Sequence, residues 1–422
     1  MNAMKKVVVI GGGFAGLNFI KKMKNDNRFS ITLVDRNNYT FFVPLLYQVA
    51  TGFLEVSNIS YPFRKLLGGI TNVHFRLGTL VSVDAERHVC VLDTGELAYD
   101  ILVFAMGSET NFFNNHRIRE KALRMKTVDD ALVMKNHLLH LLEKASITPD
   151  KNERKKLLTV VIAGGGPTGV EIAGVLAELR KYMIRRDYPE LTGAAGEIYL
   201  VDRHSRLLSQ MSTESHEEAL KTLTKLGVHI KLDAIVDDFH SGEVLLSTGE
   251  KIKAMSLIWA AGVVASKIQG IDGKPVGKSN RLIVDQFNQV VGVDKVYAIG
   301  DICIQQTETH FPQGHPQLAQ VAIQQGKNLA RNFIAIANKR RPRAFKYSDK
   351  GSLAIIGRKR AVADLKNPTV HLGGFLALLI WLFIHLTSLI HFQNKVKTLY
   401  NWIVAYLTRD LHLRMIVRDE PD

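Results

Sequence analysis

The stretch Lys5-Lys6-Val7-Val8-Val9-Ile10-Gly11-Gly12-Gly13-Phe14-Ala15-Gly16 decides the fold. A β-branched run of this length reads as a buried parallel strand. Beyond the glycines, Leu17, Phe19, Ile20 and Met23 recur at helical spacing. Strand, glycine turn and helix in that order are the context a dinucleotide-binding fingerprint requires. Gly11 permits the tight turn, Gly13 lets the backbone approach a pyrophosphate, and Gly16 lets helix and strand pack closely. The helix N-terminus then offers its N–H groups to the phosphates. The next run, Ser30-Ile31-Thr32-Leu33-Val34, ends at Asp35, about 20 residues past the turn, where a carboxylate accepts a ribose 2′-OH. A glycine turn without a ligand is the plainer alternative; strand, helix and acid in register favour the nucleotide.

The pattern recurs. Leu157-Leu158-Thr159-Val160-Val161-Ile162 is a second buried strand, and Gly164-Gly165-Gly166-Pro167-Thr168-Gly169 its turn. A helical run follows through Val170, Ile172, Ala173, Val175, Leu176 and Leu179. The next strand, Glu197–Val201, ends at Asp202 after a charged helical extension and a glycine-containing loop. Two such units in one chain need two dinucleotides, a far more specific signal than either alone. The chain is therefore expected to be α/β, with two nested Rossmann-like domains. Further strands are expected at 228–232, 243–247, 257–262 and 294–299, the last running into Gly300-Asp301.

Composition narrows the class. A chain of 422 residues suggests two to three domains, and 46% hydrophobic with 23% charged residues excludes disorder and a multi-span membrane protein. Two cysteines, Cys90 and Cys303, exclude a CxxC pair, an iron–sulfur cluster and a cysteine-based zinc site. The fifteen histidines show no paired ligand spacing, so no metal site is expected. The net charge of +15 implies an anionic partner. No nucleic-acid module is present, so nucleic acid is not expected. The apolar run at the N-terminus is too short and glycine-rich for a signal peptide, so the catalytic bulk is expected to stay in the cytoplasm.

The C-terminal end differs in character. Lys339-Arg340-Arg341-Pro342-Arg343 and Arg358-Lys359-Arg360 are basic clusters. They precede an uncharged apolar run, Leu372–Ile390, and a mixed segment from Val396 to Leu407 that contains Tyr400, Trp402 and Tyr406. Trp and Tyr favour the lipid–water interface, and adjacent cations favour anionic lipid. The pair reads as two amphipathic helices lying in one leaflet, with a break near 391–395 and Arg409, Arg414 and Arg418 at the headgroups. A true span by the first helix, or a core helix of a homodimer interface, are the competing readings.

On these residues the chain resembles the two-dinucleotide flavoprotein reductases, and within them the type II NADH dehydrogenases, single-subunit NADH:quinone oxidoreductases. The closer match rests on four stretches: Asn38–Gly52, Gly164–Glu171 (GGGPTGVE), Ala319–Gln324 (AQxxxQ) and Lys350–Gly357. The resemblance implies FAD on Gly11, Gly13, Phe14, Ala15 and Gly16, its adenosine ribose at Asp35, and its ribityl chain at Gly300 and Asp301. It implies NADH on Gly164, Gly166 and Gly169, with its ribose at Asp202. Glu171 would then stand beside nicotinamide and flavin as an orienting or protonating group; an ordinary first-turn glutamate is the alternative. Gln320 and Gln324, four apart on one helix face, would meet the quinone, because neutral amides suit a carbonyl without the cost of burying a charge. Solvated surface is their alternative. The family usually has Glu at position 202 and Thr at position 106, where this chain has Asp and Met.

The implied domains are 1–120 with 285–338 for FAD, 121–284 for NADH, and 339–422 as the membrane-associating region. The implied protein is a peripheral enzyme on the cytoplasmic face of the cell membrane, without ion pumping. Sulfide:quinone oxidoreductase and a non-catalytic NADH-sensing flavoprotein are the rival functions. The first needs catalytic cysteines at positions where Cys90 and Cys303 do not stand.

Overall fold

A computed structural model describes residues 4–193, 196–271, 276–366, 368–408 and 415–416, with the backbone alone at position 185. The three arginines expected at lipid headgroups, Arg409, Arg414 and Arg418, lie outside the described residues. The chain divides into two compact units.

The first unit comprises Met1–Phe41, Tyr61–Glu109 and Val263–Asp349. Its sheet has the spatial order Val296–Ala298, Ile101–Phe104, Lys5–Ile10, Phe29–Asp35, Val73–Leu77. Every pairing is parallel. The central strand is buried along Val7–Ile10, as a strand covered on both faces must be. Helix Phe14–Met23 leaves the first glycine turn with Leu17, Phe19, Ile20 and Met23 buried. Helix Ala319–Ala337 crosses it so closely that a Cβ on Gly326 would lie 2.3 Å from the Ala15 carbonyl oxygen.

The second unit comprises Phe42–Ser60, Thr110–Gly262 and Lys350–Asp422. Its parallel sheet runs Val228–Lys231, Ile198–Val201, Val160–Ala163, Ser256–Trp259. Helix Pro167–Asp187 leaves the second glycine turn. An antiparallel sheet of Gly351–Gly357, Arg360–Leu365 and Val370–Gly373 packs on that helix. At the crossing a Cβ on Gly174 would meet the Ile356 carbonyl oxygen at 2.2 Å. Two helices close the described chain, Gly374–Ser388 and Phe392–Thr408.

These boundaries differ from the sequence expectation in four places, each with a packing reason. Residues 263–284 fall in the first unit because Ala265, Ile271, Leu282 and Val284 join the core beside Val8, Leu102 and Phe104. Residues 110–120 fall in the second because Phe112 and Ile118 pack with Val161 and Trp259. The C-terminal region is not a separate body: Trp402 donates from Nε1 to Gln48 Oε1 at 2.7 Å, and Asn394 Nδ2 donates to the carbonyls of Ser57, Asn58 and Ser60, each at 3.0 Å. Segment 42–60 belongs to the second unit for the same reason.

Candidate functional site

The two glycine turns are built alike. Gly11 has φ +105° and Gly164 φ +111°, a region costly for any residue with a Cβ. In each turn the last glycine could not be anything larger, since a Cβ on Gly16 would sit 2.0 Å from the Gly11 oxygen and one on Gly169 1.8 Å from the Gly164 oxygen. The middle glycines differ. Nothing lies within 4 Å of a Cβ placed on Gly13 or Gly166, so the backbone there borders open space. Both are N-caps without a side-chain cap, so the first amides of each helix have no such acceptor. That is the arrangement a pyrophosphate occupies. Phe14 and Ala15 form the first turn of the helix that follows.

The two carboxylates expected at ribose also brace these turns. Asp35 Oδ2 accepts from the Gly12 amide at 2.7 Å and Oδ1 from Asn37 at 2.8 Å. Asp202 Oδ2 accepts from Gly165 at 2.5 Å, and its Oδ1 from the backbone and ring nitrogens of His204, both at 2.7 Å. Desolvation pushes the Asp35 pKa up, against the pull of its backbone donors.

In the first unit the expected FAD and quinone residues converge. Gly300, at φ +80°, lies so near both helices that an added Cβ would be 3.2 Å from Ala15 Cβ and 3.3 Å from Ala322 Cβ. Asp301 accepts from the Ser108 hydroxyl at 2.7 Å. Gln320 lies on the first turn of helix Ala319–Ala337. Gln324 is engaged at both ends of its amide by one residue: it donates to the Ser348 oxygen at 2.9 Å and accepts from the Ser348 nitrogen at 3.0 Å. Its neighbour Gln325 stands outside the motif spacing yet is engaged more deeply. That side chain is buried, accepts from the Gly300 amide at 2.7 Å, and fixes the Gly300–Asp301 turn. The adjacent amide pair in Ile323-Gln324-Gln325 was the available signal: one faces out and one in.

In the second unit Glu171 is buried, and desolvation raises its pKa to about 8. The Ile355 amide, 3.4 Å from Oε1, only partly opposes this. At neutral pH the carboxyl therefore carries a proton. The Trp381 indole N–H also pulls the other way, although it has no acceptor in hydrogen-bonding geometry. Tyr47 is buried too; burial and then the Glu171 charge drive its hydroxyl well above the ordinary range. Gln48 donates to the Tyr47 hydroxyl oxygen at 3.1 Å while accepting from Trp402. His385 stacks on Trp381 at 3.7 Å between ring centres, and burial lowers its pKa to about 4, so it is neutral. A buried polar chain thus links the tail helices to the surroundings of Glu171. No local signal reveals it, because Gln48 and Trp402 are 354 residues apart.

Residues 5–326 match the family described as pyridine nucleotide-disulphide oxidoreductase, and residues 350–410 the NDH2 C-terminal domain. The type II NADH:quinone oxidoreductase Ndh of Mycobacterium tuberculosis is 35% identical, over 96% of this chain and 88% of that protein. The chain belongs to the type II NADH:quinone oxidoreductase family. NdhA of the same organism is 32% identical over 96% of this chain and 87% of its own length. Among solved structures, Plasmodium falciparum NDH2 in complex with NADH has TM-score 0.88 at 22% identity, covering 99% of this chain and all of that one. A sulfide:quinone oxidoreductase from Aquifex aeolicus has TM-score 0.73 at 19% identity, covering 98% of this chain and 96% of that one. At those identities the two structures establish the shared fold.

In this type II family member both tail helices expose apolar side chains; the first is apolar on its buried side as well, and the second is amphipathic in an inverted sense. Phe375, Leu376, Leu379 and Phe383 are exposed along one side of the first helix. Phe392, Val396, Leu399, Tyr400, Ile403 and Leu407 are exposed along the second. The inward side of the second helix instead carries Asn394, Thr398, Trp402 and Ala405. Trp402 was expected at the lipid interface on composition; it is buried because its N–H pairs with Gln48. The apolar run is also shorter as a helix than in sequence, since Val370–Gly373 pairs as a strand with Arg360–Leu365. Among the described residues no helix is long and apolar enough to cross a membrane. At 15 residues the first tail helix is about 22 Å long, short of the ~30 Å hydrocarbon core. The break falls at 389–391, slightly earlier than expected.

The basic cluster 358–360 was read as a lipid-facing patch, and two of its members have other work. Arg358 donates to the carbonyls of Ala405 (2.9 Å) and Tyr406, capping the end of the second tail helix, and lies over the Tyr406 ring. Arg360 pairs with Glu218 at 2.8 Å.

Proposed function

We propose that the chain oxidises NADH and reduces a membrane quinone, with FAD as its resident cofactor. The observation that carries this is the pair of glycine cradles of like geometry, each with an open middle glycine and a carboxylate bracing the turn. Bound FAD supplies the hydride acceptor and the route by which two electrons reach quinone. Gly11, Gly13, Phe14, Ala15 and Gly16 hold its pyrophosphate, Asp35 its ribose, and Gly300 and Asp301 its ribityl chain. Gly164, Gly166, Gly169 and Asp202 hold NADH. Asp202 repels a 2′-phosphate, so NADH is preferred over NADPH. Glu171 holds a proton at neutral pH and would supply one of the two that reduced quinone needs, regaining it from solvent, while the other arrives with the hydride of NADH. Gln320 and Gln324 receive the quinone carbonyls, Gln324 by exchanging its contact with Ser348. The FAD-binding and NADH-binding regions follow the two units, with the tail as a membrane-associating part of the second.

The outward apolar stripes of the tail lie in one leaflet of an anionic membrane, on its cytoplasmic face. A second copy of the chain is the alternative occupant of that face. The sulfide:quinone reading finds no support in the cysteines: Cys90 and Cys303 are buried, and desolvation pushes each thiol up to about 12, far from a reactive thiolate. The deciding experiment is anaerobic spectroscopy of the purified protein. NADH should bleach a flavin spectrum and added quinone restore it. Bleaching that quinone cannot reverse would leave a sensor rather than a quinone reductase.

A further inference from the structure

The second unit contains a cavity with about 810 Å³ of atom-free space, part of it open to solvent. Its wall is almost entirely hydrocarbon: Leu138 and Leu142 from helix Val128–Ile147, Leu176, Leu179 and Met183 from helix Pro167–Asp187, and Ile198 from the sheet. Two cations reach it. Arg180 turns its guanidinium to the Gly196 carbonyl at 2.6 Å and lends only its stem to the wall. Lys135 is different: half-buried, it has no hydrogen-bond or ion-pair partner among the described residues. Desolvation lowers its pKa, while Glu55 nearby favours the charged form.

We propose that this cavity binds a free fatty acid, with the acyl chain along the leucines and the carboxylate on Lys135. The apolar wall alone would take any hydrocarbon. The ammonium at its edge, near Glu55 but in no ion pair with it, favours an anion over a neutral headgroup because it is half-buried and makes no hydrogen bond. The position gives the ligand influence over the established chemistry. Leu176, Leu179 and Met183 lie on the helix that carries Glu171 in its second turn, and the lining residues Ala50, Thr51 and Gly52 follow Tyr47 and Gln48 within a few residues. The site stands on its own geometry and does not depend on the electron-transfer reading.

The test uses flavin-loaded enzyme on phosphatidylcholine vesicles with palmitic acid bearing a photoactivatable diazirine near its methyl end. After irradiation, label is expected in peptides covering 138–142 and 176–184. Excess palmitate should displace it and methyl palmitate should not. Lys135→Glu and Leu142→Trp should each lower labelling about tenfold, equivalent to about 1.4 kcal/mol. Lys135→Arg should retain it. Unchanged flavin content and NADH reduction of a water-soluble dye would show that the variants fold. Three results would overturn the proposal: label confined to 374–408, methyl palmitate competing as well as palmitate, or a chain-to-chain cross-link through 138–142 showing that a second copy covers the cavity.

Discussion

At the scale of single residues, Glu171 makes the sharpest forecast. An unfolded glutamate titrates near ~4.3, whereas burial raises Glu171 to about 8. Between those values the folded chain keeps a proton that the unfolded chain has released, so stability falls as pH rises. The loss begins near the unfolded value and is complete above about 8, amounting to something on the order of 5 kcal/mol. Glu171→Gln keeps an acceptor for the Ile355 amide but has no proton to lose. Its urea midpoint should therefore gain on the parent between pH 6 and pH 9. Equal differences at both pH values would mean that Glu171 is not held protonated. Gln325 offers a second forecast. Gln325→Leu leaves the buried Gly300 amide unpaired, a cost of about 1–3 kcal/mol. Since that amide opens the Gly300–Asp301 turn, the variant should also lose flavin faster on gel filtration than Gln320→Leu does.

At the scale of elements, the second tail helix behaves as a core element by its inner face. Asn394 satisfies three carbonyls at the end of segment 42–60. Asn394→Leu matches it in size and leaves all three without that donor. The expected loss is at least about 2 kcal/mol, read as a lower thermal midpoint. An outward change such as Tyr400→Ser should leave that midpoint within about 0.5 kcal/mol of the parent. If the two variants melted alike, the inward and outward faces would be wrongly assigned. Periodicity shows that this helix is amphipathic. It does not tell which side faces the protein, because here the polar stripe carrying Asn394 and Thr398 turns inward to meet backbone carbonyls.

At the scale of the whole molecule, removing the tail is a poor probe of membrane binding. Deletion would strip Trp381, Trp402 and Asn394 from the second unit and expose Gln48 and Tyr47. Changing only the outward side is cleaner. Phe383→Glu with Leu399→Glu should release the enzyme from anionic vesicles in a flotation assay while flavin content stays whole. Retention of the double variant on vesicles would place the anchor elsewhere. Much of this protein was legible in its sequence. Both glycine turns, their helices, the closing carboxylates Asp35 and Asp202 and most of their strands are local features, set by backbone sterics over a few dozen residues; Leu157 and Leu158, read as strand, instead end helix Lys151–Leu158, and the strand starts at Val160. Tertiary structure alone decided what depends on distant partners. Glu171 reads as an ordinary glutamate near a helix start until the fold buries it, and desolvation then raises its pKa against the pull of the Ile355 amide and the Trp381 indole. Gln325 faces inward only because Gly300 arrives beside it. Trp402 reads as an interfacial tryptophan until Gln48, from near the other end of the chain, takes its proton donor. Burial and hydrogen-bond pairing belong to neighbours in space, and no pattern along the chain names those neighbours.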